Sequence, residues 1–90
     1  MQEYEILVGR INSKSGNGDY YVDEVIKANS DEEARASFAD YIKYYVEGRL
    51  YACLKENQVF DYKHTHLEVE LYKPNFVILE HKEYYAKDGK

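Results

Sequence analysis

The stretch from Ser30 to Gly48, SDEEARASFADYIKYYVEG, carries a start, a period and a stop, and its reading decides the fold. Ser30 is placed to accept from the backbone N–H groups that open a helix, and Glu33, three residues on, can reach back to the Ser30 N–H to make a capping box. Asp31, Glu32 and Glu33 put negative charge at the positive end of the helix dipole. Ala34, Phe38, Tyr41, Ile42 and Tyr45 recur at spacings of three and four as one apolar stripe, while Arg35, Asp40, Lys43 and Glu47 fall largely off it. Gly48 supplies the residue that most readily takes the left-handed conformation closing a helix. These signals predict a helix of roughly four to five turns. Its stripe needs a surface to cover.

Upstream, YEILVGRI from Tyr4 to Ile11 alternates as a strand, with Tyr4, Ile6 and Val8 on one face and Glu5, Leu7 and Ile11 on the other. Both faces are partly apolar, which marks a central strand or one whose second face is covered by a partner or by the chain's tail. Gly9 within it marks a bulge or a close backbone approach. The segment NSKSGNGD, residues 12–19, is dense in turn formers and predicts a mobile hairpin loop. It lacks the Walker spacing and a helix directly after it, so phosphate binding is not expected there. Tyr20 to Ala28 reads as a second strand, with Tyr20, Val22, Glu24, Ile26 and Ala28 on one face and Tyr21, Asp23, Val25 and Lys27 on the other.

Downstream, RLYACLKEN from Arg49 to Asn57 fits a short second helix through Leu50, Cys53 and Leu54, although Leu50 to Leu54 also fits a brief buried strand. On the helical reading Cys53 lies on the buried side as a small hydrophobe. Val59 to Tyr62 is read as extended. In KHTHLEVELYK, Lys63 to Lys73, Thr65, Leu67, Val69 and Leu71 face one way and His64, His66, Glu68, Glu70 and Tyr72 the other. Lys73-Pro74-Asn75 marks a turn, and Phe76 to His81 returns as a strand antiparallel to the one before. From about residue 83 to residue 90 the chain is polar, either a frayed tail or a last strand extension. Residues 1–90 therefore read as one small α+β domain: a single four-stranded antiparallel sheet with one main helix packed on one face, in the order β-β-α-(short α)-β-β.

Composition narrows the function. A hydrophobic fraction of 44% beside a charged fraction of 32% places the 90 residues with globular domains and away from disordered chains. Eleven tyrosines with no tryptophan supply rings that finish a small core at its rim or present a wettable surface to a partner. A net charge of −5 discourages binding to phosphate backbones, which rests on Lys and Arg displacing counterions. One cysteine, Cys53, excludes an internal disulfide, and the start Met1-Gln2-Glu3 lacks the pattern of a secretion signal. No apolar run approaches ~18 residues, so no membrane span is expected and a cytoplasmic location is the default.

Two constellations remain. His64-x-His66-x-Glu68 would project two imidazoles and a carboxylate to one strand face, each about 6.8 Å along the chain from the next, and the two imidazoles suit zinc once further ligands such as Glu68, His81 or Asp61 are added. The competing reading is a wet hairpin face on which those side chains meet water. Surface tyrosines flanked by carboxylates instead suit a protein contact, since aromatic rings dominate binding hot spots and acids steer basic partners. The expected contact residues are Tyr44, Asp40, Glu47, Tyr21 and Tyr72, with no catalytic residue, no metal and no cofactor. In compactness and composition the chain resembles the small proteins that phages and mobile elements direct against host enzymes or defence systems, which implies an inhibitor acting by occupancy. A zinc-binding domain and a single-strand nucleic-acid module are the alternatives, and self-association is compatible with the sequence.

Overall fold

The computed structural model describes residues 1–56 and 62–85. Strands β1 (Gln2–Asn12), β2 (Gly18–Ala28), β3 (Thr65–Lys73) and β4 (Val77–Tyr85) form one open antiparallel sheet in the order β2-β1-β3-β4. Each sequential hairpin supplies one central and one edge strand, so β1 is central, as its two partly apolar faces suggest. The chain segment between β2 and β3 carries the helices. This is the α+β architecture expected from the order of signals. A metal ligand at Asp61, the extended path over 59–61 and the tail at 86–90 lie outside the described residues, whereas Tyr62, read as the end of that extended path, instead opens a 3₁₀ turn (Tyr62–His64). Of the two alternatives for the polar stretch from about residue 83, residues 83–85 take the strand extension and complete β4. Among the described residues no helix is long and apolar enough to cross a membrane.

The helix begins where its cap signals place it. Ser30 Oγ accepts from the Glu33 N–H at 3.2 Å, while Glu33 reaches back to the Asn29 N–H at 2.9 Å, one residue earlier than a standard capping box. Asp31 then ties the helix start to the sheet, accepting from the Tyr4 hydroxyl of β1 at 2.8 Å and from Lys73 Nζ of β3 at 3.2 Å. Both partners hold its carboxyl below the usual range, the tyrosine hydrogen bond foremost.

The helix does not stop at Gly48. Helix α1 (Asp31–Tyr41) runs into a π-helical segment (Ile42–Leu50) and then into α2 (Tyr51–Lys55), so the expected second helix continues the first. The reason is visible in the spacing of Ala34, Phe38, Ile42, Val46, Leu50 and Leu54, which is four residues throughout. Four residues overrun a 3.6-residue turn, so on a pure α-helix this stripe would wander by about 40° per repeat. The wider turn of i→i+5 bonding rotates it back, and the Tyr51 N–H indeed bonds the Val46 carbonyl. Ala34, Phe38, Ile42 and Val46 thereby all bury against Tyr4, Ile6 and Val8 of β1, Ala28 of β2, and Val69 and Leu71 of β3. Leu54 buries farther along, against Leu67 of β3, and Cys53 is half-buried.

Both edge strands carry one extra residue. In β2, Ile6 faces Glu24 while Leu7 faces Val22, so Asp23 is bulged out of register; in β4, Leu71 faces Glu80 while Tyr72 faces Ile78, which bulges Leu79. The first bulge overturns the simple alternation read for β2. Tyr20 and Val22 share a face with Val25 and Lys27, whereas Tyr21 lies on the helix side with Ile26 and Ala28. The bulges also re-aim their own side chains. Asp23 accepts from the Tyr41 hydroxyl at 2.7 Å, and Leu79 packs against the core. At the β3–β4 turn Asn75 and Phe76 both adopt left-handed backbone, with φ of 72° and 62°, so Phe76 belongs to the turn and not to the strand expected to start there.

Gly48 keeps helical backbone, and a Cβ added to it would meet only the Lys43 carbonyl at 3.5 Å, an ordinary contact. Gly48→Ala should therefore stabilise the protein by about 0.5–1 kcal/mol, seen as a higher denaturant midpoint. A lower midpoint would restore Gly48 as a left-handed helix stop.

Candidate functional site

The helical stretch covers one face of the sheet. The opposite face presents Glu3, Glu5, Leu7 and Gly9 of β1, Tyr20, Val22, Val25 and Lys27 of β2, His66, Glu68, Glu70 and Tyr72 of β3, and Ile78, His81, Glu83 and Tyr85 of β4. Val22, Val25 and Ile78 are each 49% exposed. Among the described residues five carboxylates stand there against one lysine, a net charge of −4 with the histidines neutral.

Three of those carboxylates are held at both oxygens, one by a tyrosine and the other by a histidine. Glu68 accepts from the Tyr20 hydroxyl at 3.0 Å and meets His66 Nε2 at 3.0 Å. Glu70 accepts from the Tyr72 hydroxyl at 2.8 Å and meets His81 Nδ1 at 2.6 Å. Glu83 accepts from the Tyr85 hydroxyl at 2.9 Å and meets His81 Nε2 at 2.9 Å. The pattern follows from register: Glu70 lies directly across from His81, Glu68 from Glu83, and His66 from Tyr85. Tyr20 reaches across a whole strand because Gly9, which pairs with both Tyr20 and Glu68, has no side chain in the way. A Cβ at Gly9 would lie 2.5 Å from the Tyr20 ring, so the close approach anticipated at this glycine is real.

The histidines differ. His66 is buried and stacked on the Tyr85 ring, with centroids 4.5 Å apart and planes 15° from parallel. Its Nδ1 has no partner, so the ring proton belongs on Nε2, where it is donated to Glu68; the other tautomer would set two acceptors against each other there. His81 is more exposed and bridges two carboxylates, and its hydrogen bonds to Glu83 and then Glu70 raise its pKa above the ordinary 6.5. Reciprocally, His81 and Tyr85 lower the Glu83 carboxyl. The tyrosine hydroxyls titrate higher than usual, Tyr20 mainly through burial and then its bond to Glu68, Tyr72 through its bond to Glu70, and Tyr85 through its bond to Glu83.

The strand alternation that would pair His64 with His66 in the zinc alternative does not reach His64. His64 lies in a 3₁₀ turn (Tyr62–His64) ahead of β3, where its carbonyl accepts from the Ser13 N–H at 2.7 Å, so it does not share the strand face of His66. The donor set that does converge is Glu68, Glu70 and His81, whose ligand atoms all lie within 4.8 Å of one another. That trio can hold a divalent cation, provided that His81 gives up a proton. The five residues expected to contact a partner are not one surface. Asp40, Tyr44 and Glu47 are exposed on the helical stretch, with Glu47 accepting from the Tyr84 hydroxyl at 3.3 Å. Tyr21 lies on the helix side of β2, and Tyr72 on the open face. Tyr20, Tyr85, Glu83 and Phe76 were not singled out as contacts; the first three are joined only by cross-strand register.

A histidine whose folded pKa is raised stabilises the fold fully below its unfolded value of about 6.5, and that contribution is lost as pH rises through the folded value. The wild-type denaturant midpoint should therefore fall from about pH 6 to about pH 8.5, and His81→Gln should flatten that fall. An equal fall in the variant would show that the Glu70–His81–Glu83 bridge does not form in solution. No protein-family model matches the chain, and no curated protein or solved structure matches it either.

Proposed function

We propose that this domain is a non-enzymatic interaction module that binds another protein through the open face of its sheet. The observation that carries the reading is the exposure of Val22 and Val25 on one edge strand and of Ile78 on the other, on a sheet face that the described helices leave open and that also carries tyrosines and fixed carboxylates. Apolar and aromatic groups supply contact area that is desolvated in a protein interface, and fixed polar groups among them give orientation. At one end of the same surface Phe76 is 87% exposed, on a backbone conformation that a phenylalanine adopts at a cost of about 1–3 kcal/mol. An exposed ring held at such a cost suits an anchor for a partner. The non-catalytic part of the reading is supported by His81, which spends both ring nitrogens on carboxylates and so has neither left to move a substrate proton. An inhibitor that occupies a site on a host enzyme is the biological form attached to this reading, on size and composition.

The test is affinity capture from lysate of the source cell with two matched variants. Val22→Thr/Val25→Thr, which keeps shape and strand propensity, should weaken retention about tenfold, while Asp40→Ala/Tyr44→Ala/Glu47→Ala should leave it unchanged. The reverse pattern would move the contact to the helix. Phe76→Gly should raise stability by about 1 kcal/mol yet weaken capture, because it removes backbone strain and ring together. Equal capture would deny the ring a role.

A second reading, a zinc site at Glu68, Glu70 and His81, is favoured by the convergence of their donor atoms. It requires binding that tightens as pH rises, since metal and proton compete for His81. Calorimetry with zinc chloride near pH 8 should then give a stoichiometric heat; none would remove the site. The nucleic-acid alternative draws on the same tyrosines, but a surface with a net charge of −4 opposes phosphate.

A further inference from the structure

The open face also indicates what kind of partner it takes. A hollow of about 290 Å³ opens beside the β3–β4 turn, and Glu3, Glu5, Tyr72 and Phe76 are among the residues that line it. We propose that this hollow seats an arginine side chain from a basic segment of the partner protein, and that the segment continues along the carboxylates of β3. The inference rests on the protein-binding reading above and names the chemistry of the partner.

Charge complementarity selects the sign, because the described residues of the face include five carboxylates and a single lysine. The one cation in the wall of the hollow, Lys73, is already paired with Asp31 at 3.2 Å on the helix side, so it does not oppose an incoming charge at full strength. Shape and chemistry then favour guanidinium over ammonium. A planar, weakly hydrated guanidinium stacks on aromatic rings and forks to carboxylates, whereas a lysine ammonium is a compact, strongly hydrated point charge. Tyr72 and Phe76 offer the rings, and Glu3 and Glu5 offer the acceptors. Tyr72 also links the hollow to the next acceptor, since its hydroxyl fixes Glu70. Glu70 and Glu68 each use two of roughly four acceptor positions on internal donors, which leaves lone pairs for further basic side chains. Because those carboxylates are already held, little side-chain freedom is lost when a cation arrives. Val25 and Ile78, which flank the Glu5–Tyr72 pair in cross-strand register, provide exposed apolar surface beside it.

The experiment is an NMR titration of the full chain with a blocked arginine-rich peptide and with its citrulline twin, equal in length and without the charge. Saturable shifts at the Glu3, Glu5 and Glu70 carboxyl carbons and the Tyr72 and Phe76 rings are expected with the arginine peptide, with affinity about tenfold or more weaker for the citrulline twin. Glu3→Gln/Glu5→Gln, a change at two exposed positions, should weaken the arginine peptide by a similar factor, and Phe76→Leu, which keeps the apolar bulk and removes the ring, by several-fold. Equal binding of the citrulline twin, shifts at Asp40, Tyr44 and Glu47 instead, or non-saturating shifts at all carboxylates would overturn the seat. The two readings fail separately. A captured protein whose retention falls with Val22→Thr/Val25→Thr but survives Glu3→Gln/Glu5→Gln overturns the arginine seat and keeps the protein-binding reading. Retention indifferent to the valine variant overturns the reading itself.

Discussion

One amphipathic helical stretch can cover one face of a four-stranded sheet, and this chain has only one such stretch in its described residues. That constraint governs the rest of the molecule. Tyr4, Ile6, Val8, Val69 and Leu71 bury beneath Ala34, Phe38, Ile42 and Val46, and the alternation of strand side chains then fixes the residues that must face outward. A sheet side left to water is commonly polar. Here it mixes Leu7, Val22, Val25 and Ile78 with tyrosines and carboxylates, and the proposed contact rests on that mixture.

The same constraint accounts for two local irregularities. The π-helical turn keeps a four-residue apolar repeat aimed at the sheet, where a regular α-helix would let it drift aside. The bulges at Asp23 and Leu79 interrupt the two edge strands, which would otherwise offer unbroken ladders to any passing strand. Each bulge also contributes a contact, Asp23 to Tyr41 and Leu79 to the core, so edge protection and helix attachment share residues. On the open side the interdependence runs through Gly9. Its missing side chain lets Tyr20 span β1 and fix Glu68, and the array Tyr20, Glu68, His66 and Tyr85 then crosses all four strands.

Much of the fold was legible in the chain because strands and helix each announce themselves within a few residues. The capping signals at Ser30, the alternation in β1 and β3, and the turn at Pro74 are local and were readable. The continuation of the helix past Gly48 was not read, since glycine near a pattern's end usually stops a helix; the signal against it was the unbroken repeat through Val46, Leu50 and Leu54. The faces of β2 were misread because a single bulged residue reverses every side chain beyond it, and no residue type in YYVDEVIKA marks which one is extra. The candidate site was legible only in part. Glu68, Glu70 and Tyr72 share a face by alternation, but their partners Tyr20, His81, Glu83 and Tyr85 come from strands whose register the sequence does not print. His64 shares that face only on a strand that starts at Lys63, whereas β3 starts at Thr65.

The central claim is that the uncovered side of the sheet, and not the helix, meets the partner. Carbodiimide labelling of carboxylates, read by mass spectrometry on the free chain and on the captured complex, tests this most directly. The account predicts that Glu3, Glu5, Glu70 and Glu83 lose reactivity in the complex while Asp40 and Glu47 keep theirs. Loss of reactivity at Asp40 and Glu47, with the sheet carboxylates unchanged, would contradict it.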